Sequence, residues 1–204
     1  MRRPELVARQ GRCPSGMLGN VIARIMAKET ARENRHAVEL LRLQPADRVM
    51  EVGFGHGQTV TVLLNSVPNG SVAGVDLSPD MVRMAQRVNR RAVAASRADL
   101  RLGNSEKLPF ADSSFDKALA VHTVYFWENL HLHLAEIGRV LRPGGVLMLG
   151  FRPADAAALA AFPRSTHHFR DAQEVSDALL SAGFSSLQTT SPAGSVIVFI
   201  EATK

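Results

Sequence analysis

Cysteine is almost absent from this chain. Cys13 stands alone, so no internal disulfide can form and no cluster of thiolates can hold a metal. Acidic residues are too few to balance the basic ones, and the deficit is local: residues 1–48 hold ten Lys/Arg against five Asp/Glu, while residues 49–204 hold fourteen of each. No apolar run approaches the ~18 residues that suggest a membrane span. Residues 1–12 are basic and polar, without the apolar centre of a secretory leader. These absences predict a cytoplasmic protein without a thiolate metal cluster, its single thiol inert in a loose arm. Aromatic residues are scarce too, with one Tyr and one Trp in 204 residues. Those two, Tyr125 and Trp127, stand two positions apart. The length suits one well-buried domain.

What is present is a glycine turn after an apolar run. Val49, Met50 and Val52 lead into Glu51-Val-Gly-Phe-Gly-His-Gly57, and the next apolar run ends in an acid, Asp76. Gly53, Gly55 and Gly57 allow a sharp turn off a strand and let a ligand approach the main chain. Asp76 follows Gly57 by 19 positions, where a carboxylate at the tip of a second strand can accept both hydroxyls of a ribose. A dinucleotide site needs its third glycine at the position that Gln58 occupies here. Glu51 beside the turn would repel a pyrophosphate but suits a ligand carrying positive charge.

In these features the sequence resembles the class I S-adenosylmethionine-dependent methyltransferases. The resemblance rests on residues 51–57, on Val75-Asp76-Leu77-Ser78, on 103–110 with Ser114-Phe115-Asp116, and on Arg139-Val-Leu-Arg-Pro-Gly-Gly145. It covers residues 48–151 strongly and extends more weakly to the end of the chain. It looks like the ubiquinone/menaquinone-type and the amine or phospholipid methylating relatives, without separating them.

The resemblance implies S-adenosylmethionine as cofactor, leaving as S-adenosylhomocysteine, and no metal. Its site residues would be Glu51, Gly53, Phe54, Gly55 and Gly57 at the methionine end, and Asp76 and Leu77 at the ribose and adenine. Asn104, Ser105 and Glu106 would face the base, and Val121 and His122 would close the pocket. Asn104 stands where many relatives carry an aspartate, so the hydrogen bonding survives and the charge does not. Tyr125 and Trp127 are the expected substrate-binding residues. His122 is the first candidate for a general base and Tyr125 the second, should the acceptor have to lose a proton.

The alternation of strands (48–53, 71–76, 98–103, 115–121, 145–151) with helices (57–66, 79–93, 128–141) predicts a parallel sheet with crossovers. A helix over 171–182 and a hairpin of strands 184–190 and 195–202 follow. The predicted fold class is α/β: a Rossmann-like seven-stranded, mostly parallel sheet with an antiparallel C-terminal hairpin strand. Residues 1–14 are expected as a flexible basic arm and 15–204 as the catalytic domain. Two cover helices fall in 15–44 and the core in 45–204.

The leading expectation is methyl transfer to a small molecule, the acceptor atom being O, N, S or C. The basic N-terminal helices leave open an RNA or lipid-headgroup methyltransferase, with nucleic acid or a membrane surface as a less favoured partner. The blander reading is a solvated helix face, its arginines at 24, 32, 35 and 42 balanced by acids at 29, 33 and 39. A non-catalytic S-adenosylmethionine-binding protein is a third possibility and a dinucleotide enzyme a distant fourth.

Overall fold

The computed structural model describes residues 5–163 and 165–204. The apolar run before the glycine turn forms strand β1 (Arg48–Val52), whose last four residues are buried. A strand covered on both faces needs a continuous apolar run. β2 (Ser71–Asp76) and β3 (Ala98–Leu102) lie parallel on one side of it, and β4 (Phe115–Val121) and β5 (Leu141–Phe151) lie parallel on the other. The C-terminal hairpin of β6 (Ser185–Thr190) and β7 (Val198–Thr203) closes the sheet, with β7 antiparallel to β5. The order β3-β2-β1-β4-β5-β7-β6 is the expected seven-stranded, mostly parallel sheet.

Helices cover both faces. Val49, Val72 and Leu119 pack with Leu63 of α3 (Gln58–Ser66) and Val82 of α4 (Pro79–Val88). On the other face Met50, Ala118 and Leu147 pack with Leu134 and Ile137 of α6 (Leu130–Val140) and with Val175 and Leu179 of α8 (Ala172–Ser181). α8 starts with a reciprocal cap between Asp171 and Glu174.

Three expectations need correction. Where two cover helices were expected, one continuous helix, α2, runs from Gly16 to Leu40. The polar stretch between the two apolar groups is mostly Ala, Lys, Glu and Arg, which favour helix, and no Gly or Pro interrupts it before Pro45. The arm also carries regular structure, α1 (Glu5–Arg12), packed on α2; residues 1–4 lie outside the described residues. Finally, the helix expected over 79–93 divides at Asn89 into α4 and α5 (Arg90–Ala94). Asn89 is buried, and its side-chain amide donates to the carbonyls of Gly57 and Ala85 while its oxygen accepts from Thr61. The break therefore ties α4 to the glycine turn.

Candidate active site

The glycine turn projects from the carboxyl end of β1. Gly53 has φ +74, its N–H donates to the Val75 carbonyl at 2.8 Å, and a Cβ there would collide with the Thr123 side chain. Gly57, at φ +84, starts α3 and abuts Ala85 of α4. It does not line the cavity, so its part is to shape the turn.

Two carboxylates meet at the turn. Asp76 Oδ2 accepts from the Gly55 N–H and Oδ1 from the Ser78 N–H, both at 2.8 Å, so backbone donors fix the orientation of the carboxylate. Glu51 lies deeper, and its Oε2 has no hydrogen-bond partner among the described residues. Burial, and then the charge of Asp76, push the Glu51 carboxyl up to about 8. Burial also raises Asp76, against the two backbone N–H groups that hold it down. An unpartnered buried carboxylate oxygen is costly, and a cationic group entering the cavity would relieve it. Together the pair fits the ammonium and the ribose diol of the cofactor that the sequence resemblance implies.

At the far end, Asn104 engages Glu106, donating to its carboxylate at 3.0 Å and accepting from its N–H at 3.2 Å. Ser105 is buried with its hydroxyl 2.8 Å from His133 Nδ1, and His133 stacks on Trp127 with ring centroids 4.8 Å apart. Burial drives His133 down to about 4 despite Glu106, so it is neutral. Its Nε2–H then donates to Glu106 at 3.3 Å while Nδ1 accepts from Ser105. His133 is a wall residue outside the sequence motifs; its position on an otherwise apolar helix face was the available signal.

His122 sits at the end of β4 with φ +59 and lines the cavity. Both its nitrogens are engaged: Nδ1 lies 2.8 Å from the Tyr125 hydroxyl and Nε2 3.0 Å from Glu33 Oε2 on α2. The Tyr125 hydroxyl also accepts from the Arg152 N–H at 2.9 Å. In the neutral tautomer with the proton on Nε2, the bonds run from Arg152 N–H to Tyr125, from Tyr125 O–H to His122 Nδ1 and from His122 Nε2–H to Glu33. Tyr125 itself is buried among His167, Phe169 and Phe126 and does not line the cavity, and burial raises its hydroxyl well above the ordinary phenol value. A phenol placed in this way orients His122. Trp127, by contrast, lines the cavity directly.

The other predicted cofactor residues, Phe54, Leu77, Asn104, Ser105, Glu106 and Val121, also line this one cavity of about 260 Å³. The remaining wall comes from residues that carried no motif. Met26, Thr30 and Asn34 of α2 face inward, and Arg12 and Pro14 close the top. The segment between α1 and α2 grips the β2–α4 turn: Cys13 donates to the Leu77 carbonyl, the Pro14 carbonyl accepts from Ser78, and Gly16 N–H donates to Asp80 at 2.7 Å. Burial and Asp76 raise the Cys13 thiol, which keeps it protonated. Glu33 and the α2 lining have only a weak sequence signal, polar Thr30 and Asn34 at helical spacing from Met26.

Comparison with known proteins identifies the family and the fold. A family model described as a methyltransferase domain matches residues 50–149. The uncharacterized methyltransferase YdaC of Bacillus subtilis is 30% identical over 135 residues, spanning 66% of this chain and 72% of that protein. The fatty-acid O-methyltransferase of Mycolicibacterium smegmatis is 31% identical over 130 residues, 61% of this chain; the matched part is 46% of that relative, so this chain spans about half of its length. Among solved structures, a SAM-dependent methyltransferase from Aquifex aeolicus superposes with a TM-score of 0.71 at 19% identity, covering 84% of this chain and 89% of that one. Among the described residues no group of His, Cys, Asp and Glu is arranged to hold a metal, and no helix is long and apolar enough to cross a membrane.

Proposed function

Because this chain belongs to the class I S-adenosylmethionine-dependent methyltransferases, we propose that it transfers the cofactor's methyl group to a small acceptor with an apolar body and an oxygen nucleophile. The observation that carries the cofactor assignment is the buried, unpartnered Glu51 Oε2 beside an Asp76 already oriented by two backbone N–H groups. When bound, S-adenosylmethionine supplies the methyl group on an activated sulfonium. Glu51 takes the ammonium end, Asp76 the ribose hydroxyls, and Leu77, Asn104, Ser105 and Glu106 surround the base.

Support for the acceptor comes from the apolar wall of Met26, Phe126 and Trp127 and from the name of the mycobacterial relative, a fatty-acid O-methyltransferase. The protein's contribution to such a transfer is chiefly positioning and the exclusion of water by α1 and α2. His122 acts as a base through Nε2 only in the other tautomer, with Glu33 displaced and Nδ1–H donating to the Tyr125 oxygen.

The test is transfer of isotopically labelled methyl from S-adenosylmethionine to medium- and long-chain fatty acids or related hydroxylated acceptors. Label in an ester or ether product supports the reading. Tight cofactor binding with no labelled product from any acceptor class would leave only a binding protein.

Two further outcomes are expected. At pH 7 Glu51 is protonated in the free protein, because its carboxyl lies at about 8. Binding an ammonium favours its carboxylate, so a proton is released below that value. Affinity for S-adenosylhomocysteine should therefore rise by up to about tenfold per pH unit from pH ~6 towards ~8 and then level off. Calorimetry in buffers of different ionisation enthalpy measures the released proton, and Glu51→Gln should abolish it. Tyr125→Phe removes the donor to His122 Nδ1 and strands the Arg152 N–H. It should lower kcat about tenfold or more while leaving cofactor affinity within about twofold, as expected when one buried hydrogen-bond partner is lost. Equal loss in both would make Tyr125 a structural residue only.

A further inference from the structure

We infer that the outer face of α2, together with α4 and α5, docks this protein on an anionic lipid bilayer. Arg24, Lys28, Arg32 and Arg35 follow helical spacing and form one exposed stripe, about 16 Å long, on the face of α2 turned away from the cofactor cavity. Arg87 and Arg90, from α4 and α5, meet Arg24 and Lys28 across a groove of about 1,160 Å³.

The acids that were expected to balance these cations are directed elsewhere. Glu33 turns inward to His122, Glu39 pairs with His36, and Asp80 holds Arg83 and the Gly16 N–H. Glu29 lies about 100° around the helix from Lys28 and about 60° from Arg32, so it borders the stripe on its Arg32 side, away from the groove. None of the six cations just named has a side-chain ion pair or hydrogen bond among the described residues. His56, in the same groove, is shifted down by burial and by the charge of Arg24, which places the groove in a positive field.

The face is not purely basic. Val21 and Ile25 lie among the α2 cations at 53% exposure each, and Val88 edges the groove at 51%. Aliphatic residues between unpaired cations match a surface of acyl chains and anionic headgroups. A face for single-stranded nucleic acid would instead interleave aromatics for base stacking. The groove has no Phe, Tyr or Trp, and His56 is its single ring. His56 and Ala27 line both this groove and the cofactor cavity, so the two adjoin at these residues. The inference stands whether or not the acceptor is the one proposed above.

The test is cosedimentation of the full chain with vesicles of phosphatidylcholine alone and of phosphatidylcholine with phosphatidylglycerol. Binding is expected only to the anionic vesicles and is expected to weaken steeply with salt. The triple variant Arg24→Ala, Lys28→Ala, Arg87→Ala should bind them about a hundredfold more weakly, roughly fivefold per cation removed. Its affinity for S-adenosylhomocysteine should be unchanged, since none of the three lines the cofactor cavity. That readout separates this proposal from the cofactor assignment and shows that the variant is folded; if it is not, the corresponding glutamine variant replaces it. Val21→Ser with Ile25→Ser should remove the part of the binding that survives high salt. Equal binding to neutral vesicles, an undiminished triple variant, or displacement from vesicles by a single-stranded RNA oligonucleotide would each overturn the inference.

Discussion

Asp76→Ala is expected to weaken S-adenosylhomocysteine binding by about a hundredfold or more in a protein that still folds. A carboxylate holding two ribose hydroxyls makes two hydrogen bonds to a charged acceptor, each contributing about 1.5–3 kcal/mol. Even the lower end of that sum is roughly 3 kcal/mol, and every 1.4 kcal/mol is tenfold in affinity. The loss is compounded because the same carboxylate accepts from Gly55 and Ser78, so its removal frees the tip of the glycine turn. Asp76→Asn separates the effects. Its oxygen keeps one backbone contact, so the turn should survive while ribose binding still falls. Calorimetry on both variants checks the expectation, and unchanged affinity in a folded Asp76→Ala protein removes Asp76 from the ribose.

The second large effect concerns stability. Gly57→Ala puts a Cβ 2.7 Å from the Ala85 Cβ and 2.8 Å from its Cα, and it does so at φ +84. A left-handed backbone at a residue with a side chain costs about 1–2 kcal/mol. Overpacking against a helix backbone that cannot move aside costs typically another 1–3 kcal/mol. The sum, about 2–5 kcal/mol, corresponds to a fall in Tm of roughly 5–20 °C for a domain of this size. The clash also pushes α4 away from the turn that Asn89 ties to it, so cofactor affinity should fall with stability. A thermal melt showing a shift under about 2 °C would mean that α4 is not packed on the turn as described.

Residues whose roles follow from the local chain were legible in the sequence. The glycine turn, the acid ending β2 and the alternation of strands and helices each declare themselves within a few positions, because backbone geometry and burial act locally. The antiparallel end of the sheet was legible for the same reason, since two strand patterns joined by Pro192 and Gly194 permit little except a hairpin. What was hidden depends on contacts made at a distance. Glu33 meets His122 across 89 positions, and no spacing rule connects a helix face to a strand end that far along the chain. The division of the helix at Asn89 was invisible because its cause is the Gly57 carbonyl, 32 positions away. The basic segment misled in an instructive way. Glu33 and Glu39 stand near the arginines in sequence, but both face other partners in the fold; Arg42 pairs with Glu201 instead, and Arg24, Arg32 and Arg35 are left to solvent. Tyr125 was assigned to the substrate because it is the chain's one tyrosine beside its one tryptophan, yet the turn after β4 leaves Tyr125 off the cavity and sends Phe126 and Trp127 into it.

The central claim is that the cleft at the tips of β1 and β2 is built for S-adenosylmethionine, and thermal unfolding with added ligand tests it most directly. S-adenosylhomocysteine at about a hundred times its Kd should stabilise the protein by about 2.7 kcal/mol. For a chain of this length that is a rise of roughly 5–10 °C, and NAD at the same concentration should produce none. Stabilisation by NAD with no response to S-adenosylhomocysteine would contradict the assignment of the glycine turn, of Glu51 and of Asp76 together.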